Sequence, residues 1–151
     1  MTTDCGEGER TMADTIKLHF VVDGDEFTCA GEASGETKRT LKQIGFSSDV
    51  VRRVAVAMYE GEINMVIHAG GGEIDVLISP EKIEMWLVDH GPGIANVELA
   101  MQEGYSTAPD NIRSLGFGAG MGLPNIKKYT DEMRIDTELG VGTTVYTMVH
   151  T

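Results

Sequence analysis

Gly116-Phe117-Gly118-Ala119-Gly120-Met121-Gly122-Leu123 is the stretch on which the reading of this chain turns. Its glycines alternate with other residues and run into a helical pattern expected over about 120–132. Glycine costs ~1 kcal/mol relative to alanine inside a helix, so placing several near a helix start is expensive without a use. A Gly-rich turn feeding a helix N-terminus presents unpaired backbone N–H groups, which is the chemistry of a phosphate cradle. Two better-known phosphate patterns fail. Gly31–Lys38 needs a glycine where Glu36 stands, and GxGxxG begun at Gly116 meets Met121 in place of its third glycine.

Three further constellations flank that stretch. Trp86-Leu87-Val88-Asp89-His90-Gly91-Pro92-Gly93-Ile94 is an apolar strand that ends in a carboxylate and a Gly-Pro-Gly loop. It suits an ordinary turn, and equally an Asp that accepts a donor such as an adenine amine. Upstream, Glu60, Asn64 and His68 recur at i, i+4 and i+8, so they line one face of a helix expected over 49–69. That spacing fits a solvated face. It also fits a site wall, because a carboxylate can act as a general base and an amide oxygen is a hard ligand suited to Mg²⁺. Downstream, Gly140-Val141-Gly142-Thr143-Thr144-Val145 is a Gly turn that opens a Thr-rich strand, with no specificity of its own.

The remaining pattern places these motifs in one domain. Residues 1–14 read as a polar, flexible leader, and 15–151 as a single domain. Ile16, Leu18, Phe20 and Val22 alternate as a first strand, and a weaker helix is expected over 26–44 with Gly45 as its stop. In the 49–69 helix, Val56, Tyr59, Ile63, Val66 and Ile67 are expected to face the core. Residues 74–78 and 83–88 form one hairpin, 133–139 and 143–149 another, and 96–101 a short helix. Gln102–Leu115 has no clear period and reads as a functional or mobile loop. Two hairpins plus helices with apolar stripes imply an α+β, two-layer sandwich: a mixed, mostly antiparallel sheet covered on one face by helices.

Charge narrows the function. With 24 acidic and 12 basic residues the formal net charge is −12. That disfavours a grip on nucleic acid or on anionic membranes, both of which rest on clustered Lys and Arg. The longest run free of polar residues and glycine, Val54–Tyr59, is far short of the ~20 residues of a membrane helix. Cys5 and Cys29 form no CxxC, and the four histidines show no metal spacing. A cytoplasmic protein is expected.

Taken together, the four motifs resemble the Bergerat-type ATP-binding fold of the GHKL superfamily, over about residues 16–150. Glu60-x3-Asn64 is similar to its N box, Asp89-x-Gly91-x-Gly93-Ile94 to the G1 box, Gly116–Leu123 to the G2 box and Gly142–Val145 to the closing segment. Within the superfamily the chain looks most like the bacterial anti-sigma-factor serine/threonine kinases and stressosome switch kinases. It has no dimerisation helix carrying a phosphoacceptor His, and it continues Asn64-x3-His68 and Gly122-Leu-Pro-Asn-Ile-Lys-Lys in their manner. It departs from them at Gly61, where Ala or Leu is more usual, and in the length of the Gly70–Gly72 run.

The resemblance implies a kinase that uses ATP and Mg²⁺. Asp89 would accept the adenine amine, with Gly91, Gly93, Ile94 and Thr143 around the base. Asn64 would ligate Mg²⁺. Gly116, Gly118, Ala119, Gly120, Met121, Gly122 and Leu123 would wrap the phosphates, and Glu60 would be the catalytic base. Residues 102–115 would form a lid over the triphosphate, with Arg113 its cation nearest a γ-phosphate. His68 has no derived role. The partner implied is a sigma factor or a STAS-domain anti-anti-sigma protein, with a homodimer as a further option. A non-phosphorylating ATP-dependent binding module and a stand-alone histidine-kinase-type catalytic domain are the alternatives.

Overall fold

The computed structural model describes residues 9–11, 15–24, 30–102 and 122–151. Its strands are β1 (Glu9–Thr11), β2 (Thr15–Asp23), β3 (Gly71–Ile78), β4 (Lys82–Asp89), β5 (Glu132–Glu138) and β6 (Gly142–His150). Its helices are α1 (Glu32–Ile44), α2 (Ser48–Asn64), α3 (Val97–Ala100) and α4 (Gly122–Lys128). A π-helical turn, Met65–Ala69, continues α2. The strands form one sheet in the order β1-β2-β3-β4-β6-β5. Each neighbouring pair is antiparallel, so the expected mixed sheet has no parallel pair among the described residues. The α+β two-layer architecture stands as read. Within the expected leader, Glu9–Thr11 pairs with Thr15–Lys17 as an edge strand.

Alternation sets the core. Leu18, Phe20 and Val22 of β2, Ile74, Val76 and Ile78 of β3, and Ile83, Met85 and Leu87 of β4 are buried on one face of the sheet. Burial of each such side chain is worth about 1.5–3 kcal/mol. On the other face Trp86 and Tyr146 meet with ring centroids 5.3 Å apart, and the Arg134 guanidinium lies 4.4 Å from the Tyr146 centroid.

Helix α2 starts where the sequence indicates: the Ser47 side chain accepts from the Val50 N–H at 3.3 Å. Its buried stripe matches the expected one only at Ile63 and Val66. Val50, Val51, Val54, Ala57, Met58, Ile63, Met65 and Val66 are buried, whereas Val56 and Ile67 are half-buried and Tyr59 is exposed. The helix serves two neighbours at once, which rotates its apolar surface. Gly61 meets β4, and Met58 meets α1 through the Thr37 hydroxyl, which donates to Met58 Sδ at 3.4 Å. A Cβ at Gly61 would stand 2.4 Å from Leu87 Cδ2. The departure from the family pattern at this position therefore lets α2 lie close on β4.

Helix α4 is shorter than the expected 120–132. Residues 120 and 121 lie outside the described residues, and the chain leaves the helix after Lys128. The Asp131 N–H donates to the Met148 carbonyl at 2.8 Å, and Glu132 pairs with Met148, so the sheet captures these residues.

Candidate functional site

Two regions of the fold bring the sequence motifs together. The first is the end of β4. Asp89 stands opposite Thr143 across the β4–β6 ladder. Its Oδ1 accepts the Gly91 N–H at 3.0 Å and the Thr143 N–H at 3.2 Å. Both donors converge on one oxygen, which orients the second, Oδ2. The close start of β6 depends on Gly142, where a Cβ would come within 2.1 Å of the Asp89 carbonyl oxygen.

The loop after β4 is tied to the β5–β6 hairpin. The Ile94 N–H donates to Thr137 Oγ1 at 2.8 Å, and the Gly140 N–H donates to the Pro92 carbonyl at 2.9 Å. Gly93 has a left-handed backbone, φ 82, and a Cβ there would lie 2.6 Å from the Glu138 carbonyl oxygen. Thr143 is buried, and its hydroxyl shares a 2.9 Å hydrogen bond with the Thr137 hydroxyl. Thr137 was missed in the sequence, where it reads as an ordinary strand residue.

The π turn backs this region. A Cβ on Gly91 would stand 2.6 Å from Ala69 Cβ, so the loop lies directly on the turn. His68 sits in that turn. Burial pushes its pKa down, while the negative charge of Asp89 pulls it up. The α-helical period that placed His68 with Glu60 and Asn64 thus gives way to a π turn, where burial and the charge of Asp89 act on it in opposite directions.

The second region is the contact of α2 with α4. The two motif residues of α2, Glu60 and Asn64, meet two residues of α4 that are one turn apart. A Cβ at Gly122 would lie 2.8 Å from both Oδ1 and Nδ2 of Asn64, so the absent side chain leaves room for that amide. The Asn125 amide donates to Glu60 Oε2 at 3.2 Å. Ile126, 1% exposed, anchors α4 in the core and fixes its height over α2. Glu60 is half-buried, and that burial raises its pKa while the Asn125 hydrogen bond works to lower it. Glu60 also lines a groove of about 450 Å³ between α1 and α2, beside Ser34, Gly35, Lys38, Val56 and Tyr59.

Glu62, two residues on, is a carboxylate the motif reading did not single out. It is 2% exposed. Its Oε2 accepts the N–H groups of Gly31 (2.9 Å) and Ala33 (3.1 Å), and its Oε1 that of Ser34 (3.0 Å). It therefore caps α1 from another helix, a service that no side chain local to α1 performs. The available signal was a charge at i+4 from Met58 on a buried stripe.

Of the Gly-rich stretch, Gly116, Gly118, Ala119, Gly120 and Met121 lie outside the described residues, as does the expected lid beyond Gln102, Arg113 included. Leu123 packs against the core, so its side chain serves the fold. Among the described residues no group of three His, Cys, Asp or Glu side chains is placed to hold a metal ion. No helix among them is long and apolar enough to cross a membrane. The residues nonetheless suit Mg²⁺–ATP: Asn64 presents a hard amide oxygen beside a glycine that leaves space, and Asp89 holds an oriented carboxylate oxygen.

Comparison with known proteins agrees with this fold. The chain is 28% identical over 112 residues to the serine/threonine-protein kinase RsbT of Bacillus subtilis (strain 168), covering 72% of this chain and 78% of that protein. It is 31% identical over 111 residues to the anti-sigma F factor of Clostridium beijerinckii, covering 70% and 74%. A crystal structure of the RsbU and RsbW domains of Rv1364c from Mycobacterium tuberculosis shares the fold with a TM-score of 0.59 at 16% identity. That match covers 88% of this chain and 32% of the other. Residues 24–149 match the histidine kinase-like ATPase domain, and the chain belongs to that family.

Proposed function

We propose that this chain is a regulatory serine/threonine kinase of the anti-sigma type, which transfers the γ-phosphate of ATP to a hydroxyl on a protein partner. The observation that carries the reading is the meeting of Glu60 and Asn64 with α4, at the point where the Gly-rich stretch enters that helix. The names of the relatives, a serine/threonine kinase and an anti-sigma factor, support the same class.

In this reading Asp89 Oδ2 accepts the adenine amine, while Oδ1 remains held by Gly91 and Thr143. Asn64 holds Mg²⁺, which, when bound, neutralises charge on the phosphates. Gly122 opens α4 beside Asn64, where the absence of a side chain leaves room for a phosphate. The acceptor side chain enters near the α1–α2 groove, and Glu60 takes the proton from its hydroxyl. Partial burial makes the Glu60 carboxylate a stronger base than an exposed one. The hydroxyl oxygen bonds to the γ-phosphorus as the bond to the β-phosphate oxygen breaks, and ADP leaves.

The test is transfer from [γ-³²P]ATP with Mg²⁺ to a purified STAS-domain anti-anti-sigma protein encoded in the same genome. An acid-stable, alkali-labile label on Ser or Thr is expected. An acid-labile label would indicate a histidine-kinase-type domain. A nucleotide-dependent complex without label would indicate a binding module.

A further inference from the structure

The geometry points to Asn125 as the positioning residue for Glu60, holding Oε2 so that Oε1 faces the acceptor hydroxyl. This rests on the reading of Glu60 as the base.

Four residues carry the inference. On α2, Glu60 and Asn64 are one turn apart; on α4, Gly122 and Asn125 are one turn apart. Gly122 lies against Asn64, and Asn125 reaches Glu60 at 3.2 Å, so the two helices are matched turn for turn with opposite direction. Ile126 locks this register because it is buried in the core beside Asn125. An unrestrained Glu has three rotatable bonds, and a base must stand within hydrogen-bond reach of the proton it takes. Among the described residues one amide donor meets Oε2 of Glu60, which restricts the orientation of the carboxylate while Oε1 faces the acceptor. The donor also favours the ionised form, which opposes the effect of burial.

Asn125 stands on the same helix as Gly122, so one element carries both the donor for Glu60 and the contact with Asn64. Asp or Lys at this position would present a repelling charge or a longer, rotating donor. The amide suits a partner that must hold the carboxylate without neutralising it.

Asn125→Ala, Asn125→Gln and Glu60→Ala test this. In the ¹H–¹⁵N spectrum of the full chain, Glu60→Ala should shift the Asn125 side-chain amide resonances while most backbone resonances stay in place. Asn125→Ala should lower kcat for phosphate transfer from ATP to the STAS-domain acceptor about ten- to hundredfold, as expected for loss of one hydrogen bond to a charged group. The KM for ATP should change less than about threefold, and the acid limb of the pH profile should move to higher pH. Asn125→Gln, which keeps an amide donor, should recover much of kcat. Amide resonances indifferent to Glu60→Ala overturn the contact. A wild-type chain that turns over ATP, with kcat unchanged in Asn125→Ala, overturns the positioning role alone. A wild-type chain that transfers no phosphate to the STAS-domain acceptor overturns both that role and the kinase reading.

Discussion

Glu60 and Glu62 stand two residues apart on α2, about 200° apart around its axis, and the fold treats them in opposite ways. Glu62 is buried, and both of its oxygens are occupied by backbone N–H groups from the start of α1. Glu60 is half-buried and meets one side-chain amide on one oxygen. A buried carboxylate whose two oxygens hold three backbone N–H groups is shut off from a substrate and acts as a structural rivet. One that is partly desolvated and held by a single donor is prepared to take a proton. The sequence presents both as Glu within Tyr59-Glu-Gly-Glu-Ile63, and only the surroundings separate them.

Replacement of the rivet should have the largest effect on stability. Glu62→Ala orphans three backbone N–H groups at the start of α1. Since each buried unsatisfied donor costs ~1–3 kcal/mol, a loss of about 3–5 kcal/mol is expected in urea unfolding. A loss under about 1 kcal/mol would mean that water replaces the carboxylate and that the contrast with Glu60 is only one of exposure.

Asp89 sharpens the comparison because it combines both behaviours in one group. Oδ1 is held by two backbone donors, and the proposed role belongs to Oδ2. Asp89→Asn can keep the bonds at Oδ1 while it turns the other atom from acceptor to donor. Stability should change little, and ATP affinity measured by calorimetry should fall tenfold or more, since a hydrogen bond to a charged group is worth ~1.5–3 kcal/mol. Unchanged affinity in a folded Asp89→Asn protein would remove the adenine assignment.

The smallest effect is the pH dependence of the Glu60 contribution to stability. Its pKa is raised in the folded chain, first by burial. The folded state therefore holds the proton more tightly than the unfolded state, and this stabilisation is present at low pH and lost as pH rises through the folded pKa. At pH 7 the ionised group is a mild burden, so Glu60→Gln should be as stable as the parent or slightly more so. The difference should shrink toward about pH 4, near the ordinary carboxylate range. A Glu60→Gln protein clearly less stable at pH 7 would make Glu60 a structural group like its neighbour.

How much of this was legible in the sequence follows from range. Both hairpins were, because alternation at Ile74, Val76 and Ile78 and the Gly140–Gly142 turn between 133–139 and 143–149 are local signals. The motif residues Glu60, Asn64 and Asp89 were legible through helical spacing and through a carboxylate at a strand end. The buried face of α2 was misjudged because two partners, β4 and α1, share that helix and no periodicity assigns its surface between them. Glu62, Thr137 and Asn125 were missed for a related reason. Each acts on an element distant in sequence, with separations of 28–31, 43 and 65 residues, and such pairings exist only once the layers are packed. Gly61 looked like a departure from a family pattern until Leu87 was found against it.

The most direct test of the central claim sets binding against chemistry in one variant. Glu60→Gln keeps the shape of the side chain and removes the base. Measured side by side, its affinity for ATP with Mg²⁺ should stay within a few-fold of the parent, while turnover of ATP falls by ~10²–10⁴, the range of general-base contributions. Full turnover in Glu60→Gln, with ATP still bound, would contradict the account.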